Sequence, residues 1–177
     1  LAAMVAHSLF KLAEQKRGAI VVFPGDEPIL EWLSGGFKLD AKPSGPLIMS
    51  IFDPNSTGHD GALIVENGKF TRFGVRLPVS QSSKLPDEFG TRHHAAMGLA
   101  EKSDALAVVV SEERGTITIF YKRKFRQVND REKLATMIVS HWNKTASFPL
   151  HLPKGGARWL VFSQILISLV LAMFFWT

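Results

Sequence analysis

Three short stretches of the chain place charged groups, hydroxyls and glycine together where apolar runs begin or end. In His59-Asp60-Gly61-Ala62, the Asp60 carboxylate can hold a divalent cation or take a proton from a hydroxyl, and Gly61 and Ala62 leave room for a ligand against the backbone. The same Asp-Gly pair also suits an ordinary turn. In Gly90-Thr91-Arg92-His93-His94, Thr91 stands where an N-cap belongs. The free N–H groups of a first helical turn would then join the Arg92 guanidinium and two imidazoles in an anion site suited to phosphate oxygens. The plainer alternative is a capping Thr91, a solvated Arg92 and one packed histidine. In Ser111-Glu112-Glu113, a hydroxyl and two carboxylates follow an apolar strand, at the end of an α/β sheet where a metal–triphosphate can be met. A charged turn over Glu112-Glu113-Arg114-Gly115 accounts for the same residues.

The elements that must position these windows follow from hydropathy spacing. Leu1, Val5, Leu9 and Leu12 mark one face of an opening helix, and Ala19 to Phe23 is a short buried strand. Glu27 to Leu33 reads as a short helix closed by Gly35-Gly36, and Gly45 to Phe52 as another. Ala62 to Val65 and Phe70 to Leu77 flank Asn67-Gly68, the signature of a tight hairpin turn. Thr91 to Lys102 is helical, Ala105 to Val110 is a buried strand, and Thr116 to Tyr121 pairs with Phe125 to Val128. Asp130 caps a helix running to Trp142. The sum is a mixed α/β domain over residues 1–142, with a central β-sheet surrounded by helices.

Composition bounds the chemistry. The chain of 177 residues carries a formal charge of +5 and has no cysteine, which excludes disulfides, thiolate metal sites and a cysteine nucleophile. The basic cluster at Lys122, Arg123, Lys124 and Arg126 reads as a solvated strand end, and no nucleic-acid partner is expected. Residues 143–158 form a Pro/Gly/basic linker, and 159–176 hold no charge. As a helix those last residues would reach about 27 Å at ~1.5 Å per residue, close to the ~30 Å of bilayer hydrocarbon. A C-terminal transmembrane helix is therefore expected, with membrane lipid as a partner. Lys144, Lys154 and Arg158 precede it and keep the domain on the cytoplasmic side of the cell membrane.

Together, IFDPNSTGHDGALIV, the following LPVS and GTRHHAAMGLAEKSDALAVVVSEE resemble, in order and spacing, the catalytic domain of the diadenylate cyclases over roughly residues 1 to 142. Members of that family join two ATP molecules into cyclic di-AMP with release of pyrophosphate, using Mg²⁺ or Mn²⁺ and a face-to-face pair of domains. The resemblance implies a homodimer or higher homo-oligomer. It places Asp60 beside the metal and the attacking ribose 3′-hydroxyl, with His59 as a metal ligand and Glu113 at the metal. Gly61 and Ala62 would lie by the nucleotide and Leu77 beside the adenine. Thr91, Arg92 and His93 would bind phosphate, with Arg92 and His93 counted with Asp60 as catalytic, while Ser111 and Glu112 complete the nucleotide contacts. Two positions depart from the family's pattern. His94 stands where the family has arginine, and an imidazole cannot replace a bidentate guanidinium; Arg76 stands where anchored relatives often have tyrosine. A catalytically impaired nucleotide sensor at the membrane is the alternative that the first departure suggests.

Overall fold

A computed structural model describes residues 1–82 and 85–146. Three of the strands, β1 (Ala19–Phe23), β3 (Ala62–Glu66) and β5 (Leu106–Val110), are apolar almost throughout and form the centre of a seven-stranded sheet. Around them lie β2 (Phe37–Ala41), β4 (Lys69–Val75), β6 (Ile117–Tyr121) and β7 (Lys124–Gln127), giving the order β2-β4-β3-β1-β5-β6-β7. Among the described residues only the β1–β3 pairing is parallel.

Continuous apolar runs suit strands covered on both faces, because successive side chains alternate between them. Ala19, Val21 and Phe23 enter one core, while Ile20 and Val22 enter another. The first core is closed by α1 (Ala2–Glu14), α2 (Gly45–Ile51) and α4 (Arg131–Ala146), whose Leu9, Leu12, Ile48, Leu134 and Ile138 are fully enclosed. Each such side chain contributes roughly 1.5–3 kcal/mol of burial. The second core is closed by α3 (Thr91–Lys102) through Ala96, Met97, Leu99 and Ala100.

Asn67 and Gly68 both adopt positive φ, as the tight hairpin requires. Lys122 and Arg123 adopt the same left-handed conformation between β6 and β7 without a glycine. The Arg123 N–H donates to the Ala100 carbonyl, which ties this turn to the end of α3. The basic cluster thus occupies a turn and an exposed edge strand, where charge discourages pairing with another sheet.

The structure differs from the sequence-based expectation in four places. Glu27 to Leu33 contains only a 3₁₀ turn, Leu30–Trp32, because Leu33 is already extended and Ser34 exchanges backbone hydrogen bonds with Arg76. Strand β2 was not expected: Asp40 has φ 48° and the register shifts between Lys38 and Ala41, which spoils the alternation. Helix α4 runs past Trp142 to Ala146, so the compact unit Leu1–Thr145 extends into the expected linker. Its cap is as expected, the Lys133 N–H donating to Asp130 at 2.7 Å. Gly90, not Thr91, is the N-cap of α3; Thr91 is the first helical residue, and no side chain caps this helix end. Among the described residues no helix is long and apolar enough to cross a membrane. The expected span at 159–176, like the rest of the linker from 147 onward, lies outside the described residues.

Candidate active site

The sheet topology decides which windows meet. Because β1 and β3 are parallel and β5 runs against both, the start of β3 and the end of β5 share one end of the sheet, with the start of β1 between them. Asp60-Gly61 and Ser111-Glu112 are thereby brought to the same rim. Helix α3 crosses the second core face and delivers Arg92 to it.

Arg92 joins the windows. Its Nη2 donates to Asp60 Oδ1 at 3.1 Å and its Nη1 to Glu112 Oε2 at 2.6 Å. The arginine side chain is 11% exposed, whereas Asp60 is 83% and Glu112 59% exposed. A guanidinium is thus fixed from behind and presents its fork outward to carboxylates that water screens. Such pairs are worth little and exchange readily, so a triphosphate can displace a carboxylate from the fork and gain a bidentate, charge-assisted contact.

The groove at this corner is lined by Gly90, Thr91, Arg92, Ser111, Glu112 and Glu113, among others, and its volume is only ≈ 30 Å³, about one or two waters. A far larger cavity, ≈ 740 Å³, lies at the other end of α3 between Met97, Glu101 and Arg123 and contains none of the three windows. Size and chemical convergence point to different places. The small groove is where charge, hydroxyls and a helix N-terminus converge, and the Arg92–Glu112 pair fills it.

Ser111 shapes its own turn. Its hydroxyl oxygen accepts the Arg114 N–H at 3.3 Å and its carbonyl accepts the Gly115 N–H, leaving the O–H hydrogen available to a ligand. The window is thus a closed turn that also carries a hydroxyl at the groove.

The His59 ring is oriented by the backbone. Its Nδ1 lies 2.6 Å from the Ser56 carbonyl, which can only accept, so Nδ1 carries hydrogen and Nε2 faces Asp60 Oδ1, 3.3 Å away. An Nε2 without hydrogen beside a carboxylate oxygen fits a cation, and a carbonyl-oriented imidazole is the usual arrangement of a metal ligand. His59 and Asp60 therefore suit a divalent ion. Glu113 does not join them: among the described residues no three potential ligands of this kind come together, and Glu113 lines the groove beside Ser111 instead. Two protein donors suffice where substrate phosphates and water complete the shell.

The two neighbouring histidines serve different surroundings. His93 is buried, stacked on Phe89 at 4.3 Å and edge-on to Phe120, with its Nε2 unpartnered. Burial, reinforced by Arg114, His94 and Arg92, pushes its pKa down from 6.5 to about 4. It is a neutral aromatic wall and adds no positive charge for phosphate. His94 places Nδ1 3.3 Å from the Ser80 carbonyl, and its own carbonyl accepts the Ser80 N–H. The family's missing arginine thus falls on the clasp that holds Ser80, not among the residues lining the groove.

The remaining expected contacts need restating. Gly61 was read as leaving space for a ligand, but a Cβ there would strike the backbone of Gly74, so the glycine permits two strands to approach. Ala62 is wholly enclosed and Leu77 is buried in the second core, so a nucleotide would meet the backbone at Ala62 and no more than the edge of Leu77. Gly18 is the residue that sequence reasoning missed, because its neighbour is Arg92, far along the chain.

Residues 6–125 match the model of a protein family described as DisA bacterial checkpoint controller nucleotide-binding, the diadenylate cyclase domain. The chain belongs to the diadenylate cyclase family. Within it, the chain is 33% identical over 133 residues to a cyclic di-AMP synthase, CdaA, of Bacillus subtilis, covering 75% of this chain and 49% of that protein. It is 43% identical over 104 residues to a diadenylate cyclase, CdaS, of Bacillus thuringiensis, covering 59% of this chain and 52% of that one. The chain spans about half the length of these relatives. Its fold is similar to the crystal structure of a DacA double mutant from Staphylococcus aureus, with TM-score 0.76 and 33% identity over 80% of this chain and 94% of that one. A hypothetical membrane spanning protein from Bacillus cereus aligns with TM-score 0.70 and 35% identity over 72% of this family member and 62% of that chain.

Proposed function

We propose that this chain is a diadenylate cyclase that condenses two ATP molecules into cyclic di-AMP with release of two pyrophosphates. The observation that carries the reading is Arg92 shared between Asp60 and Glu112, which unites all three chemical windows at one rim. In each half-reaction a ribose 3′-oxygen forms a bond to the α-phosphorus of the other nucleotide, the bond to the β-phosphate bridging oxygen breaks, and the hydroxyl proton leaves. Asp60, exposed and acceptor-only when ionised, stands ready to receive that proton or to hold the metal.

Arg92 would release Glu112 and bind the triphosphate, supported by the Ser111 hydroxyl and by the uncapped start of α3 at Thr91. Donors of this kind contribute about 2.7–4 kcal/mol each when aimed at developing charge. His59 and Asp60 would hold Mg²⁺ or Mn²⁺, which when bound neutralises phosphate charge and polarises the reacting oxygens. Alignment of two bound nucleotides supplies the greater part, about 7–11 kcal/mol. One rim offers one set of donors, so two domains must face each other, and the homodimer or a higher homo-oligomer is the active form.

Residues 159–176 would tether the domain to the lipid of the cell membrane with residues 1–158 in the cytoplasm, a reading supported by their lack of charge. Confinement to a plane would raise the effective concentration of facing domains. The test is product identity. Mass spectrometry after incubation with ATP and Mn²⁺ should find cyclic di-AMP, and a separate assay should find two pyrophosphates for each. Adenosine monophosphate or inorganic phosphate as the only product rejects the assignment.

A further inference from the structure

We propose that Gly18 is a positioning residue for Arg92: the missing side chain at 18 is the seat on which the guanidinium rests between Asp60 and Glu112. The inference deepens the cyclase reading and rests on it for its consequence in turnover. Gly18 is not among the glycines with positive φ, so backbone conformation does not demand a glycine here. Space does. A Cβ at 18 would lie 2.5 Å from Arg92 Nη1, 2.6 Å from Cζ and 3.0 Å from Nε, and these guanidinium atoms are its three nearest neighbours.

The register explains why the seat lies where it does. Ile20 faces Ala62 on β3 and Ala19 faces Val110 on β5. One step further back, Gly18 falls between Asp60 and Ser111, at the midpoint of the rim. A guanidinium resting on it turns Nε inward, where that atom is buried without a partner, and turns both Nη atoms outward to the carboxylates. At Gly61 and Gly98 an added Cβ would strike backbone, that of Gly74 and Pro78, and the fold would have to move. At Gly18 its three nearest contacts all belong to the end of one long side chain. An alanine at 18 therefore leaves the sheet intact and lifts the guanidinium by about 1 Å, a displacement of the size that costs about 100-fold in well-aligned active sites.

The test is a double-mutant cycle in the full 177-residue chain with Gly18→Ala, Arg92→Ala and both together, reading kcat/KM from pyrophosphate release, the dissociation constant of ATP with Mn²⁺ by calorimetry, and the melting temperature. Gly18→Ala should melt with the wild type, lose about 100-fold in kcat/KM, and add less than about twofold to either quantity in the Arg92→Ala background. Equal losses in both backgrounds, or no loss at all, overturn the seat. A crystal structure of Gly18→Ala gives the second readout: a guanidinium displaced by about 1 Å supports the proposal, and an unmoved one contradicts it. A wild type that releases no pyrophosphate refutes the cyclase reading alone, and the seat is then judged by calorimetry and by that structure.

Discussion

The two ends of strand β1 carry the same kinds of residue and put them to different use. At its far end, Phe23 and Pro24 offer carbonyls to His141 Nε2, both at 3.0 Å, and Asp104 accepts the N–H groups of Asp26 and Glu27, both at 3.1 Å. A glycine, Gly25, lies against the Asp104 carboxylate as Gly18 lies against the Arg92 guanidinium. At the near end the carboxylates of Asp60 and Glu112 are held by a side-chain cation and screened by water. A carboxylate held by two successive backbone N–H groups is a staple, because those donors are fixed in the fold and cannot swing to another partner as a side chain can. A carboxylate satisfied by a guanidinium is exchangeable, because phosphate offers the same fork a better partner. The chemistry of the partner, rather than the residue type, separates a site from a brace.

The largest effect expected from disturbing this contrast is at Asp60. Asp60→Asn should reduce cyclic di-AMP formation by about 100- to 10,000-fold, in line with losing a positioned proton acceptor, with no change in melting temperature because the side chain is exposed. Undiminished turnover in a chromatographic assay would remove Asp60 from the site.

The second effect lies in stability against pH and belongs to His93. Its folded pKa, about 4, is below the ordinary 6.5, so the unfolded chain binds the proton more strongly. The penalty is absent above pH 6.5, grows as pH falls, and is complete below about pH 4, on the order of 3 kcal/mol. Urea unfolding of His93→Phe, which keeps a ring against Phe89, should lose less stability than wild type between pH 7 and pH 5. Parallel curves would contradict the buried neutral ring.

The third is the staple itself. Asp104→Ala should lower unfolding free energy by about 1.5–3 kcal/mol while ATP affinity, measured by calorimetry, stays unchanged. A loss of affinity equal to the loss of stability would mean that the two ends are coupled. The smallest concerns an ion pair remote from both ends. Lys69 and Asp40 meet at 3.1 Å but are more than half exposed, and Lys69→Ala should change unfolding free energy by less than about 1 kcal/mol.

The sequence displays those features whose cause is local. The apolar runs of β1 and β5, the Asn67-Gly68 turn and the Asp130 cap are each read from neighbouring residues, and each stands in the structure as expected. The fold class follows from them. Strand β2 escapes because Asp40 breaks its alternation, and its pairing with β4 is what defines it. The site divides the same way. The motifs mark Asp60, Arg92 and Ser111 as chemistry, but spacing cannot say that Gly90 rather than Thr91 is the N-cap of α3, that Gly61 faces Gly74, or that His93 is walled by Phe89 and Phe120. Those facts arise where distant segments pack, and Gly18 is the extreme case.

The most direct trial of the account is a crystal structure of the chain with a non-hydrolysable ATP analogue and Mn²⁺. The triphosphate should lie at the rim between Thr91 and Ser111, with Arg92 released from Glu112 and bonded to phosphate. A nucleotide seated in the large cavity between Met97 and Arg123, with Arg92 still paired to Glu112, would contradict it.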